Sequence, residues 1–171
     1  MKQSRKQQDA YRRALKEIGT AEVPGDGDNE KIIRWFEKVG HSWVRDDETA
    51  WCAAFLGAML EYSGIRSTRK LNARSYLDWG RPVDLEDAVP GDVVVFWRKN
   101  QNSWEGHVGF YCAHNSDTVH VLGGNQANKV SIAYYPRAKL LGVRRLPEDE
   151  EKLGVLATLL GKLLDLIRGL K

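Results

Sequence analysis

The sequence predicts an α+β protein in which helices come first and an antiparallel sheet follows. Before Gly64 the apolar residues recur at helical spacing, whereas after Pro90 they alternate with a period of two. The later apolar segments are separated by short polar turns and not by further helices, which is typical of an antiparallel meander. These observations favour helices packed on an antiparallel sheet.

Three helices are predicted in the N-terminal part of the chain. The first covers residues 6–19, where apolar residues form a stripe among basic ones. The second begins after Asn29, a good N-cap residue, and ends at Gly40. The third runs over residues 51–60, is apolar on nearly every side and stops before Gly64. A helix without a polar face must be buried, so we expect the third helix to be central.

Five strands are predicted in the rest of the chain. Pro90, Gly91 and Asp92 form a turn that opens the first strand, and residues 114–117 form the turn between the second and the third. The predicted strands cover residues 93–97, 107–113, 118–122, 130–134 and 140–145.

The composition excludes several classes of protein. The 171 residues suit one domain with a short appendage, and a formal charge of +3 is too small to indicate a nucleic-acid partner. Two cysteines exclude a disulfide scaffold, and no apolar run is long enough to span a membrane. The basic N-terminus lacks the apolar run of a signal peptide, so we expect synthesis in a cytosol and another route to any site of action outside.

Cys52 is the candidate nucleophile. It lies in the first turn of the predicted central helix, where free backbone N–H groups and the helix dipole favour a thiolate. Position alone leaves open the alternative that Cys52 is a small packing residue.

His107 supplies the base that a nucleophilic cysteine needs. It opens a predicted strand, and the alternation of that strand puts Val108, Phe110 and Cys112 on the opposite face. Cys112 is therefore interpreted as a packing residue. His114 and His120 are interpreted as polar residues on the wet face of the sheet.

Asn125 is the candidate third member. A hairpin turn centred on residues 115 and 116 places His107 opposite Gly124 or Asn125, and directly opposed side chains are close enough to hydrogen-bond. An amide in this place would orient the imidazole and fix its tautomer. The alternative is a turn residue after two glycines.

No metal or cofactor site is predicted. The cysteines and histidines show neither CxxC nor HExxH spacing, and no phosphate-binding glycine loop or dinucleotide motif occurs. Two acidic clusters, at 26–30 and 46–48, lack the twelve-residue calcium loop, so we interpret them as solvated loop charge.

Four blocks of the sequence stand out: WCAAF at 51–55, PGDVVVF at 90–96, GHVGFY at 106–111 and LGGNQ at 122–126. A further block, ARSYLDWG, lies at 73–80. In this order and spacing, the four blocks resemble the NlpC-type and CHAP superfamily of papain-like cell-wall hydrolases. The likeness covers roughly residues 10–147 and is nearest to phage and prophage endolysin-like members, which carry signatures of the 73–80 and 122–126 type.

The resemblance implies a papain-like cysteine amidase or peptidase domain over residues 1–147 that cleaves amide bonds in bacterial peptidoglycan. The bond would be either the muramoyl–alanine amide or one within the stem peptide. Cys52 would be the nucleophile, His107 the base and Asn125 the orienting residue, a position that varies in the family among His, Asn, Gln and Glu. Some CHAP relatives bind calcium before the cysteine, but residues 46–48 lack their spaced aspartates, so no metal is carried over.

Several side chains are candidates for substrate contact, with core packing as the alternative. They are Trp51, Trp79, Trp97, Trp104 and Gln126.

Residues 148–171 lie beyond the resemblance and predict an amphipathic C-terminal helix with a narrow cationic stripe. The helix either packs on protein or lies on an anionic membrane through residues 152–171, and the cationic stripe favours the membrane.

Two biological settings fit an enzyme of this kind, a phage endolysin and an injected antibacterial effector. The alternative from another class is a non-catalytic wall-binding or structural module on the same fold.

Overall fold

The computed structural model describes residues 2–25 and 27–148, together with Leu156, Leu159, Leu160 and Leu163. The α-helices that precede the sheet are α1 (Arg5–Lys16), α2 (Glu30–Lys38) and α3 (Cys52–Tyr62). Asn29 caps α2 as the sequence predicts, because its side chain accepts a hydrogen bond from the Lys31 amide. The central helix α3 is buried along most of its length, also as predicted.

The sheet has six antiparallel strands. They are β1 (Arg81–Val83), β2 (Val93–Trp97), β3 (Gly106–His114), β4 (Thr118–Gly123), β5 (Ser131–Pro136) and β6 (Leu140–Arg145), in the order β1-β6-β2-β3-β4-β5. The predicted α+β class with an antiparallel sheet is thus confirmed. β1 was not predicted, because its three residues form an edge strand too short to show a period.

The two faces of the sheet carry separate apolar cores. The larger core lies between the sheet and the helices and takes Val95 of β2 and Val108 of β3. The smaller core covers the opposite face and takes Val94 and Phe96 of β2. This alternation decides on which side of the sheet each polar side chain emerges.

A buried ion pair links β6 to the residue before β2, close to the N-terminal residues of the chain. The Arg145 guanidinium of β6 donates to both carboxylate oxygens of Asp92 at 2.9 and 2.6 Å, and the Gln3 side chain donates to the same carboxylate. Removing one partner of such a pair would leave an uncompensated buried charge. The Pro-Gly-Asp block at the start of β2 is therefore structural.

The β3–β4 hairpin pairs regularly at Phe110 and Tyr111, and its register shifts closer to the turn. Phe110 pairs with Leu122 and Tyr111 with Val121, and the register then shifts around Cys112. β4 ends at Gly123, so no ladder reaches Asn125. This early end separates Asn125 from His107.

The C-terminal tail is described at only four leucines. Leu156, Leu159, Leu160 and Leu163 are helical and each is more than half exposed. The remainder of the predicted helix beyond Glu148 lies outside the described residues. Within the described part of the chain, no helix has the length and apolar character needed to span a membrane.

Candidate active site

Cys52 is the first residue of α3 and is almost fully buried, with 6% of its surface exposed. Burial raises the pKa of its thiol, while the Val108 amide, the positive charge of Arg98 and the amides of Ala53 and Cys52 act in the opposite direction. The helix start therefore provides the N–H groups that the sequence predicts, but desolvation outweighs them.

His107 lies near the start of β3 and is fully buried. Its ring stacks on Tyr135 with centroids 4.8 Å apart and an interplanar angle of 13°. Burial, followed by the charge of Arg98, lowers the pKa of His107 to about 3, although its bond to Gln126 acts to raise that pKa. The imidazole is therefore neutral at physiological pH.

Gln126 fixes the tautomer of that imidazole. The Gln126 amide nitrogen donates to the Ser131 carbonyl at 2.6 Å and the Val121 carbonyl at 3.3 Å, so its Oε1 must face His107. Oε1 lies 3.1 Å from His107 Nε2 and can only accept, which places the ring proton on Nε2. Nδ1 then carries the lone pair, and it has no hydrogen-bond partner among the described residues. A lone pair at Nδ1 is what a general base requires.

Asn125 does not contact the imidazole, contrary to the sequence-based expectation. With its oxygen turned toward α3, Asn125 accepts a hydrogen bond from the Trp51 amide at 3.2 Å. The same oxygen lies 3.3 Å from the Trp51 indole nitrogen, whose N–H it shares with Glu22. The chain leaves the sheet after Gly123, and Asn125 adopts a left-handed conformation with φ of 55°. The bend turns Asn125 toward Trp51, the residue before Cys52, and Gln126 toward His107.

The Val108 backbone relates Cys52 to His107. Val108 follows His107 directly, and its backbone amide is one of the influences that lower the pKa of the Cys52 thiol. The start of α3 reaches this point because β4 has ended and Gly124 leaves room: a Cβ there would lie 2.6 Å from Trp51 Cε3 and 2.7 Å from Phe55 Cβ. Acyl transfer by a cysteine uses groups of these kinds: a thiol at a helix start and a neutral imidazole with a fixed tautomer.

Three of the candidate substrate-binding side chains, Trp51, Trp79 and Gln126, are buried and have partners within the protein. Trp51 packs on Trp35 and Phe55, and its indole donates to Glu22 at 2.7 Å. The Trp79 indole donates to the Arg66 carbonyl, and Gln126 is occupied as described above. Trp51 and Trp79 belong to the larger apolar core.

Two candidates remain near the surface. Trp97 is half-buried, donates to the Ala138 carbonyl at 3.2 Å and lies under Lys139. Trp104 is 74% exposed, in the loop between β2 and β3. Their contact with substrate stays a prediction.

The remaining cysteine and histidines have other partners. Cys112 accepts a hydrogen bond from the Tyr11 hydroxyl at 3.5 Å, and His114 lies between Tyr111 and Glu86. Among the described residues, no group of three His, Cys, Asp or Glu side chains could hold a metal ion.

Asp47 is buried, whereas the sequence predicts solvated loop charge over residues 46–48. Its carboxylate accepts hydrogen bonds from the amides of Val23 and Asn29 at 2.9 and 2.8 Å. It fastens the loop before α2.

Comparison with known proteins shows the fold. No protein-family model and no curated protein sequence matches this chain. Among solved structures, the P60 domain of an antigen of Mycobacterium avium subspecies paratuberculosis has 12% identity and a TM-score of 0.51, covering 82% of this chain and 94% of that domain. The Resuscitation Promoting Factor Interacting protein RipA has 19% identity and a TM-score of 0.52, covering 82% of this chain and 61% of that one. NlpC1 of Trichomonas vaginalis has 16% identity and a TM-score of 0.50, covering 81% and 43%.

These structural neighbours are NlpC/P60 proteins, so the chain has the papain-like α+β fold that its sequence blocks predict. This chain spans less than two thirds of the RipA and NlpC1 chains. The endolysin-like subgroup stays a prediction.

Proposed function

We propose that this protein is a cysteine hydrolase that cleaves an amide bond of bacterial peptidoglycan, with Cys52 as nucleophile, His107 as base and Gln126 as the orienting residue. The observation that carries the proposal is the pairing of His107 Nε2 with Gln126, which leaves Nδ1 as a free acceptor among the described residues. The next residue, Val108, is one whose backbone amide lowers the pKa of the Cys52 thiol. The NlpC/P60 fold of the neighbours and the four sequence blocks support peptidoglycan as substrate.

The proposed reaction has two stages. Cys52 attacks the amide carbonyl while its proton passes to His107 Nδ1, and the Cys52 backbone N–H at the start of α3 stabilises the oxyanion. His107 then gives that proton to the leaving amine, and a thioester to Cys52 remains. His107 next takes a proton from water, the resulting hydroxide displaces Cys52 from the thioester, and the thiol regains its proton.

The protonation states favour a neutral thiol–imidazole pair before substrate binds. Burial raises the pKa of the thiol and lowers the pKa of the base, so both charged forms are disfavoured in the closed site. Proton transfer therefore accompanies attack and does not precede it.

The test is release of soluble muropeptides from purified sacculi. We expect Cys52→Ala to abolish release, because the change removes only one sulfur atom at a helix start. Cys112→Ala is the matched control and should keep near-normal activity, since its sulfur contacts Tyr11 away from the site. Activity in Cys52→Ala, or its loss in Cys112→Ala, would refute the assignment, and mass spectrometry of the products would identify the scissile bond.

The biological setting is also a proposal. The sequence blocks favour a phage endolysin made in a host cytoplasm and acting on the cell wall, with an injected antibacterial effector as the alternative. The protein can be expressed in bacteria with and without a periplasmic export signal. An endolysin or an effector should lyse the cells when it is exported, whereas a non-catalytic module should not.

A membrane role of the tail is a second proposal, supported by the exposure of Leu156, Leu159, Leu160 and Leu163. Deleting residues 148–171 should leave sacculus hydrolysis intact and reduce sedimentation with anionic vesicles. An insoluble or unfolded deletion variant would show instead that the tail packs on the domain.

A further inference from the structure

A basic groove lies between α1, α2 and α3. It has a volume of about 700 Å³, and two side chains that line it, Trp35 and Met59, are buried and form an apolar floor. Among the described residues, five basic side chains line the groove: Arg12, Arg13, Lys16, Lys31 and Arg34. The acidic side chains that line it are Asp9 and Glu17. Because basic side chains outnumber acidic ones there, the groove favours an anionic occupant.

Arg13 and Lys16 are exposed on α1 and have no ion-pair partner among the described residues. The other three cations of the groove are paired with carboxylates at 2.7 to 2.9 Å: Arg12 with Asp9, Lys31 with Glu17 and Arg34 with Glu30. Lys16 lies three residues from Arg13 and four from Arg12, so like charges are neighbours on the surface of α1 and repel each other. A bound anion would relieve this repulsion.

The C-terminal end of α3 adds neutral donors to the groove. Tyr62 is 42% exposed, and its hydroxyl forms no hydrogen bond with the described residues. Burial of part of the side chain raises the pKa of Tyr62, so the hydroxyl stays protonated and can donate. The Ser63 hydroxyl, which is buried, also has no partner among the described residues. A phosphodiester offers acceptor oxygens and a negative charge, and these donors and cations match both.

The shape and the rings of the groove distinguish among anionic partners. A flat bilayer surface cannot enter a concave groove between helices. A single-stranded nucleic acid stacks its bases on aromatic side chains, but Trp35 is 2% exposed and Lys38 lies over the Tyr62 ring, with its Nζ 5.0 Å from the centroid. Glu37, whose charge acts on Tyr62, offsets that of Lys38 at this end. A flexible phosphodiester polymer without bases meets neither obstacle.

We propose that this groove binds a phosphodiester-linked anionic polymer of the bacterial cell wall, with Arg13, Lys16 and the Tyr62 hydroxyl as its main contacts. The proposal adds a binding site to the proposed function and rests on it for placing the protein at the wall. Cys52 and Tyr62 are the first and last residues of α3, so the groove lies about 15 Å along the helix from the thiol. A polymer bound there holds the protein on the wall and leaves Cys52 and His107 free.

The first test is sedimentation of the protein with purified sacculi, before and after hydrofluoric acid has removed their phosphodiester-linked polymers. Cys52→Ala is the parent protein for this assay, so that the sacculi are not digested. Removal of the polymers should weaken binding about tenfold or more, and binding to untreated sacculi should weaken with rising salt, as contacts to phosphate do. Equal binding to treated and untreated sacculi would overturn the proposal.

Arg13→Gln/Lys16→Gln tests the groove itself. In the same parent it should weaken binding to untreated sacculi about tenfold and reduce the salt dependence, and Tyr62→Phe should have a smaller effect. The matched control is Arg5→Gln/Lys70→Gln, which removes two exposed cations that do not line the groove and should bind like the parent. An equal loss in both double variants would show that only the total charge matters and would refute the groove as the site.

The partner is identified by comparing ligands. The loss of affinity in Arg13→Gln/Lys16→Gln should be larger for soluble polyglycerol phosphate than for duplex DNA or for vesicles of anionic phospholipid. An equal or larger loss for the DNA or the vesicles would assign the groove to that partner and overturn the wall polymer. Binding as expected, together with no muropeptide release by the unaltered protein from treated sacculi, would refute the proposed function alone.

Discussion

Gln126→Leu is the substitution that tests the site geometry most directly. Leucine keeps approximately the side-chain volume but removes four hydrogen bonds, one to His107 and three to Val121 and Ser131. The imidazole then has no partner among the described residues at either nitrogen, although it is fully buried. Its proton is no longer held on Nε2, and the ring is free to present the wrong tautomer to the thiol.

The expected loss of activity is about 10- to 1,000-fold in kcat/KM, which corresponds to about 1.4–4 kcal/mol of transition-state stabilisation. Stability should also fall. At about 1 kcal/mol for each hydrogen bond, partly offset by the apolar side chain, the free energy of unfolding should drop by about 2–4 kcal/mol. A domain with a stability of about 5–15 kcal/mol remains folded after such a change.

Release of dye from labelled sacculi measures the activity, and urea unfolding measures the stability. Gln126→Glu separates the orienting role from the structural one, because it keeps an acceptor toward His107 but loses the donors to Ser131 and Val121. We expect it to be about as destabilised as Gln126→Leu and clearly more active. Its carboxylate should also raise the pKa of His107 and move the acidic limb of the pH–rate profile upward. Equal activity of the two variants, or a larger loss in Asn125→Ala than in Gln126→Leu, would refute the assignment of Gln126 as the orienting residue.

Three further outcomes are expected. The pKa of the Cys52 thiol is raised and that of His107 is lowered to about 3. The rate at which iodoacetamide alkylates the free enzyme should therefore rise about tenfold for each pH unit between pH 5 and 8. A plateau across this range would show a preformed thiolate–imidazolium pair instead. His107 is protonated near pH 6.5 in the unfolded chain and only near pH 3 in the folded chain. The free energy of unfolding should therefore be highest above pH 6.5 and fall toward pH 3 by up to about 1.4 kcal/mol for each pH unit. Urea unfolding at pH 7 and at pH 5 should show this decrease, and His107→Leu should lack it. Gly124→Ala should lower the free energy of unfolding by about 1–3 kcal/mol and lower activity, because the new methyl group meets Trp51 and Phe55. Unchanged stability in calorimetry together with unchanged activity in the sacculus assay would contradict the described packing of α3 against the bend.

The sequence predicts most of the fold because the period of its apolar residues is clear. The buried helix α3 and the strands from β2 to β6 have long regular patterns, and their observed bounds lie within two residues of the predicted ones. β1 lies in an edge position and depends on pairing with β6, which no local pattern reveals. Trp51 and Trp79 illustrate a further limit, since amphipathic aromatic side chains suit a binding groove and a core equally well.

Strand parity and helix position predict where His107 and Cys52 lie, at the start of β3 and at the start of α3. Their catalytic roles stay predictions. Which amide side chain hydrogen-bonds His107 depends on where β4 ends. A difference of one residue at that end places Gln126 beside the imidazole in the position predicted for Asn125. Tyr135, which stacks on His107, was missed, although strand alternation offers a signal: it pairs with Val119 and lies on the same face of the sheet.

The bend after β4 ties together the two halves of the proposed site. Consecutive side chains leave it in different directions, Asn125 toward Trp51 before the nucleophile and Gln126 toward His107. This division requires the left-handed conformation at Asn125 and the absence of a Cβ at Gly123, where one would lie 3.0 Å from His107 Nε2. A change anywhere in the bend therefore moves nucleophile and base relative to each other without touching either. The Gly-Gly-Asn-Gln block is consequently a positioning element for the whole site, and its two polar residues should show coupled effects on activity in a double-mutant cycle. Strictly additive losses in Asn125→Ala/Gln126→Leu would show instead that the two residues act on separate parts of the molecule.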